Sequence, residues 1–196
     1  DSTQGWINTM DSTSNVRGSS FMTATGGTPT QDGDYEIRTF TGPGTFCVSA
    51  LSGNPANNAV EYLVVAGGGG AGGQSGNTRG GGGGGGFRFA SPSLAPLAYP
   101  GKPLAAPAGL TVSVAPYAIT VGGGGAGSPV GIIGNDSTFS TITSTGGGNS
   151  TGTGGSGGGA NGGTFDTAGG AASPVTSPAQ GNAGGASSNP SGPDHA

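Results

Sequence analysis

The sequence predicts an all-β fold: short antiparallel strands in a sandwich-like arrangement, joined by glycine-rich, polyproline-II-like segments, with almost no helix. Three observations predict it. Several short stretches alternate apolar with polar residues, the period of a strand. The chain's 48 Gly and 14 Pro, 62 of its 196 residues, punctuate those stretches. No window carries apolar residues at i, i+3, i+4 and i+7 over a helical length.

Residues 1–30 are polar and turn-rich, anchored by Trp6, Ile7, Phe21 and Met22, and read as a linker or the end of a preceding domain. In Tyr35–Phe40, Tyr35, Ile37 and Thr39 alternate with Glu36, Arg38 and Phe40. Thr41-Gly42-Pro43-Gly44 then offers a tight turn into Thr45–Ser49, so these two strands are expected to form a hairpin. Val60–Ala66 is a β-branched run of buried-strand length. Phe87–Ala90 is a further short strand. Leu110–Val114 and Tyr117–Val121 read as a second hairpin around Ala115-Pro116, and Thr138–Thr145 as one more strand carrying Phe139 and Ile142. Residues 31–170 thus form a glycine-rich β domain, and 171–196 a Pro/Ser/Gly-rich extended tail.

The glycines carry their own pattern. Gly67 to Gly86 holds 14 Gly in 20 positions. Every third position from Gly67 reads Gly67, Gly70, Gly73, Gly76, Arg79, Gly82, Gly85, and from Gly122 it reads Gly122, Gly125, Ser128, Gly131, Gly134. Polyproline II has three residues per turn, and only Gly fits where such helices pack closely. The pattern therefore predicts one bare face per helix, with Gly67–Gly86 and parts of Gly122–Gly163 packed side by side. Gln74 and Asn77 are expected to point outward, and Arg79 to interrupt the bare face. Flexible glycine linkers are the competing reading. A collagen triple helix is disfavoured because Gly80 to Gly86 breaks the strict triplet.

Composition excludes many functions. The single Cys47 permits neither an intrachain disulfide framework nor a CxxC metal cluster. The single His195, in a polar tail, permits no multi-His site and makes a Ser-His-Asp triad improbable. Five basic residues, none after Lys102, against nine acidic ones give a net charge of -4, too negative for a nucleic-acid surface. Tyr62 to Ala66 is the longest apolar run, far below the roughly 18 residues of a membrane span. Without an initial Met or a signal-like segment, residue 1 does not read as the native start.

Candidate sites are sparse. Gly67 to Gly73 follows a strand as phosphate loops do, but Gln74 to Gly86 offers no helix to complete an anion site. Asp32, Asp34 and Glu36 at spacing two would share one face of a strand, as cation ligands, paired carboxylates or a solvated edge. Cys47 between Phe46 and Val48 reads as an inert strand residue. Trp6 reads as an anchor to a neighbouring domain or subunit, with a glycan platform as the alternative. No catalytic, cofactor or metal residues are assigned, and no enzyme is expected.

An ordered set of motifs resembles the glycine-rich domain of virion structural and tail-fibre proteins of tailed bacteriophages, the marine and cyanobacterial type. It runs through Ala24-Thr25-Gly26-Gly27-Thr28, Gly33-Asp34-Tyr35-Glu36-Ile37-Arg38-Thr39-Phe40-Thr41-Gly42-Pro43-Gly44-Thr45-Phe46 and Val60-Glu61-Tyr62-Leu63-Val64-Val65-Ala66-Gly67-Gly68-Gly69-Gly70. Tyr117-Ala118-Ile119-Thr120-Val121-Gly122, Ser140 to Gly148 and Gln180-Gly181-Asn182-Ala183-Gly184-Gly185 complete it. The resemblance implies a non-catalytic fibre or adhesin module at the virion surface. Its implied partners are copies of itself in a homotrimer, other virion proteins, and a host cell-surface glycan or protein, without nucleic acid or membrane insertion. The alternative is a non-viral glycine-rich extracellular filament subunit or an ice-binding protein.

Overall fold

The computed structural model describes residues 21–72, 80–92, 105–127, 129, 131–162 and 167–187. Among these residues the regular structure is eleven short strands and a single 3-10 turn (Pro55–Asn57). β1 (Thr23–Thr25), β4 (Gly44–Ala50), β9 (Pro116–Thr120), β10 (Ser137–Phe139) and β11 (Ile142–Ser144) form a five-stranded sheet in the order β1-β4-β9-β10-β11. Three two-stranded sheets accompany it: β2 (Thr28–Asp32) with β3 (Tyr35–Thr39), β5 (Ala59–Val60) with β8 (Leu110–Thr111), and β6 (Tyr62–Val65) with β7 (Phe87–Ala90). Every strand pair is antiparallel.

The strands lie where alternation places them, but several pair differently from expectation. β3 turns back on β2 rather than forward onto β4, with Asp32 opposite Tyr35 across Gly33-Asp34. Gly33 has a φ of +57°, the left-handed conformation a two-residue hairpin loop requires. This turn outcompetes Thr41–Gly44 and frees β4 to pair with β1 and β9 on its two edges. Among the described residues strand structure thus begins at Thr23, inside the stretch read as a linker. The Arg38 guanidinium fastens the hairpin to β1, donating to the carbonyls of Ala24 at 2.8 Å and Gly26 at 3.5 Å while pairing with Glu36.

The hairpin expected around Ala115-Pro116 is also absent, since β8 pairs with β5 while β9 pairs with β4 and β10. Tyr117 folds its hydroxyl back instead: the Ser113 N–H donates to it at 2.7 Å and it donates to the Ser113 carbonyl at 3.2 Å. The single strand expected over Val60–Ala66 divides at Glu61, and its second half is one-sided. Val64 is buried, whereas Leu63 and Val65 are 62% and 50% exposed. Thr138–Thr145, expected as one strand, is the β10–β11 hairpin, closed at Ser140 with φ 54°. The reason is visible in the residues. Phe139 and Ile142 are an odd number of positions apart, so one strand would send them to opposite faces. The hairpin sets them directly opposite each other and turns both toward the core.

That core is small. Phe46, Val48, Val64, Val112 and Phe139 are buried together, ringed by residues that include Tyr62, Tyr117, Ile119 and Ile142. Phe139 is its hub, with ring centroids 5.9 Å from Phe46, 6.3 Å from Tyr117 and 6.5 Å from Tyr62, all in tilted or edge-on arrangements. The fully buried Ser144 hydroxyl donates to the Val64 carbonyl at 2.7 Å, satisfying a polar group inside this core.

The glycine runs leave the core as extended segments: I (66–71), II (80–86), III (122–127), IV (131–136), V (145–148), VI (154–160), VII (168–172) and VIII (180–185). Their hydrogen bonds advance in steps of three. Ala66 and Gly69 of segment I donate to Gly86 and Gly83 of segment II; Gly67 and Gly70 donate to Asn135 and Ile132 of segment IV. Gly83 and Gly86 donate to Gly148 and Thr145 of segment V, and Gly157 and Ala160 of segment VI to Asn182 and Gly185 of segment VIII. A β-ladder repeats every two residues, whereas three is the repeat of polyproline II. The segments therefore form a polyproline-II-like bundle. Segment VIII belongs to it, so residues 180–185 are packed structure within the stretch expected as a tail. The Gln180 carboxamide, 3% exposed, anchors this segment by accepting from the Thr145 N–H at 2.9 Å.

Side-chain space follows the same period. A Cβ added to Gly67, Gly70, Gly82 or Gly85 would stand between 1.9 and 2.2 Å from a neighbouring carbonyl oxygen. A second register of each segment is closed as well, at Gly69 in segment I and at Gly80 and Gly83 in segment II, to within 2.0–2.2 Å, whereas Gly81 and Gly84 have nothing within 4 Å. Segments I and II thus carry two bare, packed faces each, correcting the expectation of one. In the central segment V, Gly146, Gly147 and Gly148 are all closed; in segment III, Gly122 and Gly125 are closed while Gly123 and Gly124 are open. The number of closed faces reports how many neighbours a segment has. Gly73, Gly76, Gln74, Asn77 and Arg79 lie outside the described residues.

Candidate binding surfaces

The residues that sequence singled out do not converge. Asp32 ends β2, Asp34 sits in the turn and Glu36 lies in β3 paired with Arg38, so they do not share one strand face. Among the described residues no group of three His, Cys, Asp or Glu could hold a metal ion. Cys47 is half-buried in β4, facing Thr25 and Pro116 across the sheet. Gly67 to Gly72 opens no helix and runs on as segment I of the bundle. Trp6 and His195 lie outside the described residues.

Two other features stand out. The first is a flat face. β6 continues directly into segment I, and segment II directly into β7, so the two lanes run side by side along their whole length. Outward positions on the first lane are Leu63, Val65, Gly68 and Ala71; on the second, Gly81 and Gly84 continue into Phe87 and Phe89. Gly124 and Gly127 of segment III flank them, their added Cβ atoms 3.5 Å from the carbonyls of Gly68 and Ala71. None of these positions is charged. At about 3.2 Å per residue and about 5 Å per lane, the face covers about 400 Å², the size at which exposed apolar patches on monomers are often functional.

The second feature is a cleft of about 250 Å³ beside β7, lined among others by Tyr62, Phe87, Arg88, Phe89, Thr141 and Ser177. Arg88 is half-buried there. Sequence reading missed both features. The alternation of Phe87-Arg88-Phe89 marked a strand, but nothing local told which side of that strand would stay uncovered.

In architectural terms the molecule is a small aromatic β core carrying a polyproline-II-like glycine bundle. The family model of the glycine-rich domain matches residues 41–195, and the chain belongs to that family. No curated protein and no solved structure matches the chain.

Proposed function

We propose that this chain is a non-catalytic structural module of a tailed-bacteriophage virion, part of a tail fibre or adhesin that attaches the particle to its host. The ordered strand motifs that resemble phage glycine-rich domains support the setting. The flat, uncharged face carries the structural part of the reading. Inside the bundle, bare glycine rows are met by other glycine-rich segments, as Gly82 is by Gly69 and Gly134 by Gly67. Gly68, Gly81 and Gly84 extend the same pattern to the outside, flanked by Leu63 and Val65. Glycine there costs order without serving packing within the chain. Contact with further copies, as in a homotrimer, gives these positions a purpose and covers the exposed side chains.

Mass spectrometry of purified particles tests the setting, and light scattering tests the assembly. The chain is expected among tail proteins and as an oligomer at micromolar concentration, with Val65→Asp shifting it to monomer. Absence from particles overturns the virion reading. A folded monomer at high concentration overturns the assembly.

A further inference from the structure

The β2–β3 hairpin stands apart from both the core and the bundle. Its strand residues are all exposed except the half-buried Arg38, and among the described residues no third strand pairs with it. A two-stranded ribbon by itself is marginal in water. Its two edges differ. The Gly33-Asp34 turn makes Asp32 and Tyr35 the closing hydrogen-bonded pair, and bonded and unbonded pairs alternate from there. Thr30 and Thr28 therefore bond inward with Ile37 and Thr39, whereas Pro29, Gln31, Glu36 and Arg38 turn their main-chain groups outward. On the β2 edge Pro29 has no N–H to offer, so that edge is blunted. On the β3 edge Glu36 and Arg38 offer both N–H and C=O, and among the described residues no backbone bond from elsewhere reaches them.

The charges on that edge select its occupant. Edge charges ordinarily keep a second strand away. Here they are of opposite sign, two residues apart and on one face of β3. A second copy of β3 laid antiparallel, with Ile37 on the two-fold axis, sets Glu36 opposite Arg38 of the second copy and Arg38 opposite its Glu36. These are the outward-turned residues, so each pair exchanges both N–H···O bonds, about four in all. Ile37 then meets Ile37 in the closer, unbonded pair, and the exposed Tyr35 meets Thr39. Slipping two residues either way keeps the bonding parity but sets Glu36 against Glu36 or Arg38 against Arg38, which is unfavourable. We propose that the open β3 edge is a docking site for a second copy of this chain, the two joining antiparallel about Ile37 into a four-stranded sheet. This contact is separate from the flat face and does not rest on the virion reading. One short edge is a small interface, so its dissociation constant is expected on the order of 1 mM. It fills where other contacts already hold copies close together.

The experiment is amide NMR on the full Val65→Asp chain, whose flat face is disabled, at about 20 μM and about 2 mM. On concentration, the amides of Glu36, Ile37 and Arg38 are expected to shift and hydrogen exchange at Glu36 and Arg38 to slow. Gln31, on the blunted edge, is expected to change in neither respect. Glu36→Lys sets like charges across the axis and should weaken the pairing about tenfold, and Glu36→Gln, which keeps the N–H but not the charge, about threefold. Gln31→Lys should leave it unchanged. The dilute spectrum of each variant checks that the hairpin is intact through the cross-strand contact of Asp32 with Tyr35; should Glu36→Lys lose that contact, Glu36→Gln carries the test. No concentration-dependent change at β3 overturns the proposal. So do equal changes on the β2 edge, which mean unspecific association, or a Glu36 variant with an intact hairpin that pairs as strongly as before.

Discussion

The β core and the glycine bundle solve one problem in two ways. Around Phe139 the chain is held by side chains: aromatic rings and β-branched residues fill the space between strands, and backbone bonds advance by two. Around Gly147 it is held mainly by backbone, with bonds advancing by three and neighbouring carbonyls standing where a Cβ would be, and with side-chain acceptors only at points such as Asp136 and Gln180. The core tolerates loss of atoms at a graded cost, because a cavity partly relaxes. The bundle has few side chains to lose, but it cannot accept gain where its faces are closed. Stability in the first region is therefore sensitive to deletion, and in the second to insertion.

Substitution at a closed bundle face should break the molecule most completely. A Cβ at Gly147 would lie 2.1 Å from the Gly83 carbonyl oxygen, and at Gly82 2.0 Å from that of Gly69, both rigid backbone. Gly147→Val and Gly82→Val are each expected to abolish cooperative folding, read as loss of NMR dispersion and of a sharp thermal transition. Phe139→Ala comes next. It removes the ring on which Phe46, Tyr62 and Tyr117 converge, and urea unfolding should show a loss of about 3–5 kcal/mol.

A smaller effect is expected where the two regions meet. Gln180→Leu removes the acceptor of the Thr145 N–H and a buried carboxamide, which should lower stability by about 1–3 kcal/mol. Hydrogen exchange should then quicken first at Thr145, whose N–H bonds to the Gln180 carboxamide. The smallest effect tests the comparison from the other side. Gly185 is exposed, with nothing within 4 Å of an added Cβ. Gly185→Ala should range from neutral to about 0.4–1 kcal/mol more stable, through the reduced freedom of the unfolded chain. If it were as damaging as Gly82→Val, closed and open glycine faces would not differ, and the period-three account would fail.

The sequence by itself determined the kind of local structure everywhere that a period was written into it. Alternation at Phe46-Cys47-Val48 and the Gly spacing from Gly67 each name a backbone conformation, because side-chain direction repeats with the residue. It also marked which glycines recur in one register. Only the tertiary structure decided partners: that β3 returns to β2, that β8 reaches β5, and that Phe139 and Ile142 face each other across a turn. Pairing depends on which of several adequate strands arrives at each edge. For the strands that line the core that competition is settled by burial around Phe139, whereas the exposed β2–β3 hairpin follows its Gly33 turn. The number of closed faces on each glycine segment was hidden for the same reason. Glycine has no side chain with which to distinguish a face that meets a neighbour from one that meets water, so Gly83 and Gly84 are identical in sequence and opposite in the fold.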